Sequence, residues 1–222
     1  MDSSLNFAPV LERWPELLSG LGYTVTIALS GMALALVIGV LGVAVRRLNE
    51  PVSTFLVRAF VEIIRNTPFL VQIFLIFFAL PFLGIRLSPA VTAIVALGLN
   101  GGAYAIEIIR GGVDAVPKGQ WEAGHALGLR PSETFRVIVL KPALRAIYPS
   151  LSSQFVLLTL NTAICTSISV MELTSAGQRI EDETFRSFEV YFTIMGIYLL
   201  LSLAVMTMLN FVGRLSFSYP TK

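Results

Sequence analysis

Charged residues, cysteine and histidine are all scarce in this chain. Lys, Arg, Asp and Glu make up 14% of its 222 residues, against about 25% in a typical soluble domain. The single cysteine, Cys165, excludes a disulfide framework or a cysteine-based metal site within one chain. The single histidine, His125, has no histidine or cysteine neighbour at metal-ligand spacing. We therefore expect a surface histidine, no metal site and no catalytic residue.

The chain also lacks the Gly-x-x-x-x-Gly-Lys-Ser/Thr pattern, so it is expected to hold no nucleotide cofactor itself. Apolar residues are abundant instead, at 55% of the sequence with a mean hydropathy of +0.77. They form long runs, and a membrane span needs about 20 apolar residues. The sequence predicts an all-α integral membrane bundle of five transmembrane helices in a single domain, 1–222. The expected spans are roughly 17–45, 52–83, 87–113, 146–173 and 190–212.

The run 52–83 is too long for one straight span, and three charged residues share a face of its first half. Pro68 removes a backbone donor and disfavours helix at the preceding residue. We therefore expect the run to break at residues 65–68. In the first span, Gly31, Ala35 and Gly39 recur every four residues and predict close helix packing. The expected ion pairs are Glu62 with Arg58 or Arg65, and Glu107 with Arg110.

Basic residues are distributed unequally between the two sides of this topology. By the positive-inside rule, the side with more Lys and Arg is cytoplasmic. The N-terminus is therefore predicted to lie outside and the C-terminus in the cytoplasm. The cytoplasmic group is Arg46, Arg47, Arg58, Arg65, Arg110, Lys118, Arg130, Arg136, Lys141, Arg145, Arg214 and Lys222. The external group is Arg13, Arg86, Arg179 and Arg186.

The connection 114–145 is too polar to enter the bilayer and too long for a tight turn. Pro117 is placed to open a helix, and residues 120–127 favour helix. Gly128 can adopt a left-handed cap, and Pro131 can open a second helix. The sequence thus predicts a helix, a sharp turn and another helix on the cytoplasmic side.

Glu122-Ala123-Gly124, then Gly128, Ile138 and Leu140, resemble the EAA loop of ABC importer permeases, E-A-A-x-x-x-G-x9-I-x-L-P. Further motifs along the chain resemble the polar amino-acid (His/Glu/Gln/Arg/opine) branch of that family. They are Gly20–Thr26, Arg65-x-Thr67-Pro68-x-Leu70-Val71-Gln72, Ala103–Gly112 and Met171–Leu173.

The resemblance implies the permease subunit of an ATP-driven, binding-protein-dependent amino acid importer in a bacterial inner membrane. Its expected partners are a second permease subunit, identical or homologous, two cytoplasmic ATPases that hold ATP, and an external amino-acid-binding protein. The resemblance assigns ATPase coupling to Glu122, Ala123, Gly124 and Gly128. Glu122 is expected to orient the loop through hydrogen bonds, while Ala123 and Gly128 allow close contact. A partnerless amphipathic interfacial helix is the alternative for the loop alone.

The sequence departs from the family pattern in four places. Gly124 replaces the second alanine, and Pro142 stands one place late. Asn66 occupies a usual glycine position. Leu160-Asn161-Thr162 replaces a Lys-Asp-Thr run, so the loss of that charge pair leaves the choice of substrate open.

Polar side chains at membrane depth are expected to face a cavity or another helix rather than lipid. Each serves equally well as a helix–helix hydrogen bond or a substrate contact, so both roles stay open. Asn161 and Thr162 are the first candidates for binding. The candidate substrate-pathway residues are Thr67, Gln72, Asn100, Tyr104, Asn161 and Thr162.

The external segment 174–189 is expected to be a charged loop, which either receives the binding protein or is merely solvated. Two other functions would require different patterns in the sequence. An ion-gradient-driven secondary transporter of a small polar solute would need an unpaired carboxylate near the bilayer centre and usually internal repeats. A membrane enzyme would need clustered catalytic or metal-binding side chains. The sequence contains neither pattern.

Overall fold

The computed structural model describes residues 5–48 and 50–217, which form ten α-helices and no strand. Lys222, one of the basic residues counted above, lies outside this part of the chain. Helices α1 to α5 are Ala8–Glu12, Trp14–Arg47, Pro51–Arg65, Phe69–Ala79 and Pro89–Asp114. Helices α6 to α10 are Lys118–Ala126, Pro131–Thr134, Leu140–Asn161, Leu173–Thr184 and Ser187–Phe217. Short 3-10 helices follow α4 (Leu80–Leu83) and α8 (Thr162–Ile168), and a π-helix, Phe135–Val139, precedes α8.

Four continuous helical stretches are long and apolar enough to cross a membrane. They are Trp14–Arg47, Pro89–Asp114, Pro131–Ile168 and Ser187–Ser216. Helix α3 and Phe69–Leu83 pass the same test together but are bent by 111° at the break between them, so the bundle has up to five spans if this pair crosses the membrane as one. The predicted all-α membrane bundle is confirmed.

The bend between α3 and α4 has a local cause. Pro68 adopts an extended backbone with ψ of 136° and separates the two helices. Asn66 donates its side-chain amide to the Glu62 carbonyl at 2.8 Å, and the Thr67 hydroxyl donates to the Ile63 carbonyl at 2.8 Å. The Glu62 carbonyl also accepts from the Asn66 N–H at 3.1 Å, so both side chains add hydrogen bonds to carbonyls at the end of α3. The predicted break at 65–68 is confirmed.

Small residues let α2 and α5 pack backbone against backbone. A Cβ at Gly39 would stand 2.7 Å from the Ala105 Cβ, and one at Gly101 would stand 2.9 Å from the Ala35 Cβ. Gly31 makes a third such contact. In a bilayer, where lipid is as apolar as a side chain, this close van der Waals packing holds helices together. The packing face predicted from the first span is confirmed.

The helical stretch that contains the predicted fourth span begins well before residue 146. Helix continues from Pro131 through the π-helix into α8, so the second helix of the connection is the start of this span. Pro142, close to the start of α8, would disturb a regular helix because its ring clashes with the carbonyl four residues back. The wider π-helical turn just before it provides the local irregularity that such a proline needs.

The expectation of a charged external loop at 174–189 is wrong. Residues Leu173–Thr184 form α9, and α10 already begins at Ser187. Leu173, Ala176, Gly177 and Ile180 are buried on one face of α9. Their spacing of three and four residues is that of an amphipathic helix. The many charges of the segment lie on the other faces and obscured this pattern.

Candidate functional site

Helix α6 ends in a tight turn built around Gly128. Gly128 adopts a left-handed conformation with φ of +73°. Its N–H donates to the His125 carbonyl at 2.9 Å, and the Leu129 N–H donates to the Gly124 carbonyl at 3.1 Å. This pair of bonds is the Schellman motif, which caps the open carbonyls of a helix end. The helix and capped turn predicted from the sequence are confirmed.

Gly124 faces the chain that follows the turn. A Cβ at this position would lie 2.3 Å from Thr134 Cγ2 and 2.9 Å from Thr134 Cβ. Thr134 is completely buried. An alanine at 124 therefore cannot fit unless the two helices separate. The departure from the E-A-A pattern thus follows from the close approach of α6 to α7.

Helix α6 is seated firmly on the membrane helices. Trp121 stacks on Phe135, with ring centroids 6.4 Å apart and an angle of 28° between the ring planes. Both rings pack against a small core that includes Val116, after α5, and Val139, before α8. Helix α6 is therefore packed against both the end of α5 and the start of the fourth helical stretch.

The opposite face of α6 is open to solvent. Glu122, Ala123 and Ala126 are exposed, and the Leu127 side chain that follows them is 73% exposed. Within the described residues, the Glu122 carboxylate has no hydrogen-bond partner, so the bonds expected to orient the loop do not form inside this part of the chain. His125 is exposed, as predicted, with Nδ1 2.9 Å from the Trp121 carbonyl oxygen.

Three of the predicted pathway residues come together beside the bend. Gln72 donates its amide to the Thr67 hydroxyl at 2.8 Å and to the Ile64 carbonyl at 2.7 Å. Asn100, on α5, donates to the Gln72 side-chain oxygen at 2.9 Å. Gln72 and Asn100 are both buried. In this arrangement their polar groups are used to brace the bend against α5.

Asn161 and Thr162 lie where α8 tightens into a 3-10 helix. Thr162 is completely buried, and its hydroxyl donates to the Thr159 carbonyl at 2.6 Å. Asn161 is half-buried, and its side-chain amide has no hydrogen-bond partner among the described residues. Of the six predicted pathway residues, Asn161 is thus placed to offer both a donor and an acceptor to a ligand.

The predicted ion pair of Glu62 is wrong. The Glu62 carboxylate instead accepts from the Asn66 amide at 3.0 Å. Arg65 places its guanidinium over the ring of Tyr104, 5.3 Å from the centroid. Tyr104, another of the predicted pathway residues, thus uses the face of its ring in a cation–π contact within the protein. It links α3 to α5 across the bend.

The predicted pair of Glu107 and Arg110 is confirmed, at 2.7 Å. Glu107 also pairs with Arg46 of α2 at 2.6 Å, and Arg110 pairs with Asp114 at 3.0 Å. Sequence reasoning missed Arg46 because it lies 61 residues before Glu107. The network fastens the ends of α2 and α5 together at the side rich in Lys and Arg.

Comparison with known proteins shows which protein family has these features. The family described as "Binding-protein-dependent transport system inner membrane component" matches residues 31–215. The chain belongs to this family. It is accordingly a multi-pass membrane permease subunit of an ABC transporter, which in general works with a partner permease, an ATPase and a binding protein. The resemblance inferred from the EAA pattern is confirmed.

Individual members of the family share most of their length with this permease. It is 38% identical over 202 residues to the glutamine transport system permease protein GlnP of Escherichia coli, covering 90% of this chain and 92% of that one. It is 35% identical to the L-cystine transport system permease protein TcyB of Bacillus subtilis, covering 75% and 71%. A crystal structure of an amino acid ABC transporter with histidines superimposes with a TM-score of 0.89 at 28% identity, covering 95% and 99%.

The sequence did not predict that one carboxyl group, that of Glu172, is buried and holds the start of α9. Glu172 is completely buried and accepts hydrogen bonds from the Thr174 and Ser175 N–H groups, at 2.9 and 2.8 Å, at the start of α9. The Tyr198 hydroxyl, on α10, donates to the same carboxylate at 2.6 Å. Burial raises the pKa of the Glu172 carboxyl. Its only sequence sign was the Met171-Glu172-Leu173 match.

Proposed function

We propose that this permease imports a polar, uncharged amino acid, and that α6 couples its helices to cytoplasmic ATPase subunits. The coupling role is supported by the two different faces of α6. One side is fixed by Trp121 and Gly124 to the membrane helices, and the other presents Glu122, Ala123 and Leu127 to solvent. A rigid element with a free face is what a moving partner needs in order to transmit force.

The free face of α6 has a chemistry that suits docking on a protein. An exposed leucine beside small residues permits close apolar contact, while the unpaired Glu122 carboxylate can accept hydrogen bonds from the partner. In this proposal Glu122 orients the ATPase rather than the loop itself. Gly128 keeps the turn compact, so that no side chain stands between the two proteins.

The proposed assembly follows the family. Two permease subunits, identical or homologous, join two ATPases that bind ATP, and an external binding protein delivers the amino acid. The proposed topology places the N-terminus outside and the C-terminus in the cytoplasm of a bacterial inner membrane. It is supported by the excess of Lys and Arg on the side of α6.

The cargo is proposed from the relatives and from Asn161. GlnP and TcyB are named for glutamine and cystine, neither of which has a net charge on its side chain. Asn161 stands in place of an acidic residue, and its amide has no hydrogen-bond partner among the described residues. It can therefore exchange hydrogen bonds with a neutral polar group but cannot neutralise a cation.

The coupling role is tested by reconstituting the permease with its ATPases and binding protein in vesicles. We expect uptake to require ATP and the binding protein. Glu122→Ala should leave the permease inserted but reduce ATPase attachment and uptake by about tenfold, as the loss of a charge-assisted hydrogen bond would. His125→Ala, which changes an exposed neighbour on the same helix, is the matched control. Wild-type uptake in Glu122→Ala, or uptake driven by an ion gradient alone, would refute the proposal.

The cargo assignment is tested separately by Asn161→Ala. We expect reduced uptake of glutamine with ATPase attachment unchanged, because Asn161 lies far along the chain from the coupling helix. Ser153→Ala is the control, since Ser153 is exposed on α8 and its hydroxyl bonds only to the Pro149 carbonyl. Equal glutamine uptake in the Asn161 variant and the wild type would remove Asn161 from the pathway.

A further inference from the structure

Two cavities meet at the Lys/Arg-rich end of α2. The first, of about 490 Å³, lies between the end of α2, α3 and the end of α5. Four arginines line it, Arg46, Arg47, Arg58 and Arg110, together with a single acidic residue, Asp114. A cavity lined by guanidinium groups attracts anions.

Two of these four arginines are neutralised and two are available. Arg46 and Arg110 are held by the carboxylates of Glu107 and Asp114. Arg58 is exposed and has no ion pair within residues 5–48 and 50–217. Arg47 is also exposed, and its contact in that part of the chain is with the ring of Phe135, 5.5 Å from the centroid. An anion between Arg47 and Arg58 would compensate both charges.

The second cavity, of about 590 Å³, is almost wholly apolar. It lies between α2, the end of α5, α6 and the start of α8, and only Arg47 and Ser132 interrupt its apolar lining. Along α2 it reaches from Leu36 to Arg47. Eleven residues of helix rise by about 16 Å, which is about half of the 30 Å hydrocarbon core. The groove is therefore as deep as one leaflet.

Arg47 and Val43 line both cavities, so the arginine-lined cavity and the apolar groove are contiguous. We propose that the pair is a binding site for an anionic phospholipid of the cytoplasmic leaflet. The phosphate lies between Arg47 and Arg58, and one acyl chain runs up the groove from Arg47 toward Leu36. Basic pockets between membrane helices on the cytoplasmic side are suited to such head groups.

An anionic phospholipid fits both cavities better than a soluble anion or a zwitterionic lipid does. A soluble anion would use the arginines and leave the leaflet-deep groove without a partner of its own. A zwitterionic lipid would bring a cation beside guanidinium groups that already repel one another. The acyl chain would contact Trp121 and Phe135, which seat α6, so an anionic lipid would stabilise the coupling helix. This inference does not depend on the identity of the cargo.

The test is a lipid titration of the full-length permease in detergent, followed by native mass spectrometry. We expect one phosphatidylglycerol to bind in preference to phosphatidylcholine. The preference should fall by about thirtyfold in Arg47→Gln/Arg58→Gln, since each surface arginine contributes a factor of about five. Arg214→Gln, an exposed arginine at the end of α10, should keep it.

A second pair of variants tests the groove. Ala44 is exposed and lines it, so Ala44→Phe should weaken the binding of both lipids. Leu41→Phe enlarges an exposed side chain of α2 outside the groove and should weaken neither. Equal binding of the two lipids by the wild type, an unchanged preference in the double arginine variant, or binding of inorganic phosphate that displaces the lipid would each overturn the proposal.

Discussion

Gly124 and Thr134 approach so closely that the space between them has no room for a methyl group. An ideal Cβ on Gly124 would stand 2.3 Å from Thr134 Cγ2. The Thr134 hydroxyl is buried there without a hydrogen-bond partner in the described part of the chain. This contact fixes the distance between α6 and α7.

The first prediction concerns this contact. Gly124→Ala should destabilise the permease by about 1–3 kcal/mol, because overpacking forces neighbouring backbone to move. Thr134→Ala alone should be close to neutral, since it removes an unsatisfied hydroxyl. In the double variant the loss should be smaller than in Gly124→Ala, because Cγ2 and Oγ1 are gone. Thermal unfolding of all four proteins in detergent measures this coupling, and strictly additive losses would contradict it.

The second prediction compares two glycines of α6 and the turn that follows it. Gly128→Ala should lower stability by about 1 kcal/mol, because a left-handed conformation strains any residue with a Cβ. Gly119→Ala should raise it by up to about 1 kcal/mol, because Gly119 lies inside α6 with open space around it. Opposite shifts in the unfolding temperature are expected, and a loss in both variants would argue against the turn described.

The third prediction concerns the brace at the bend. Gln72→Leu should cost about 1–3 kcal/mol for each buried group left without a partner. The groups affected are the amide of Asn100 and the carbonyls of Ile64 and Thr67. Asn100→Leu should therefore reduce stability less when it is introduced into Gln72→Leu than when it is introduced into the wild type. Unfolding temperatures of the two single variants and the double variant check this, and additive losses would show that the two amides act independently.

The fourth prediction concerns the pH dependence of stability through Glu172. Burial raises the pKa of its carboxyl in the folded protein above the usual value of about 4.3. The folded state therefore binds the proton more tightly than the unfolded state. The contribution of this proton to the free energy of unfolding is fully present below the usual pKa, and it is lost as the pH rises through the raised pKa of the folded protein.

Glu172→Gln should remove this pH dependence because an amide does not titrate. The Tyr198 hydroxyl, which donates to the Glu172 carboxylate in the wild type, is unchanged in this variant. The unfolding temperature of the wild type, measured from pH 4 upward, should therefore fall relative to that of Glu172→Gln. Parallel curves for the two proteins would refute the assignment.

Features with a local steric cause were predictable from the sequence. Pro68 breaks a helix and Gly128 permits a left-handed turn whatever surrounds them. The spacing of Gly31, Ala35 and Gly39 marked a packing face because small residues every four positions have few other effects on a helix.

Features that depend on distant partners were not predictable. Gln72 and Asn100 are 28 residues apart in sequence and hydrogen-bond to each other, while the Gln72 amide also bonds to the bend. The sequence alone could not show whether these side chains stabilise the bend or bind substrate. Glu107 reaches Arg46 only because α2 and α5 are packed side by side. Helix α9 escaped prediction because its four charged residues equal in number the four residues of its buried stripe.

The packing of α2 against α5 also limits how this permease can move. Helix α5 is 26 residues long, which corresponds to about 39 Å, and its last residues lead into α6. With Gly39 locked against Ala105, the two helices cannot slide past each other without their backbones colliding. We therefore expect the two helices to behave as a single rigid beam, which tilts as one body when α6 is displaced. A shift of about 2 Å at one end of such a beam corresponds to a rotation of about 3°, and flexing is left to the bend at Pro68.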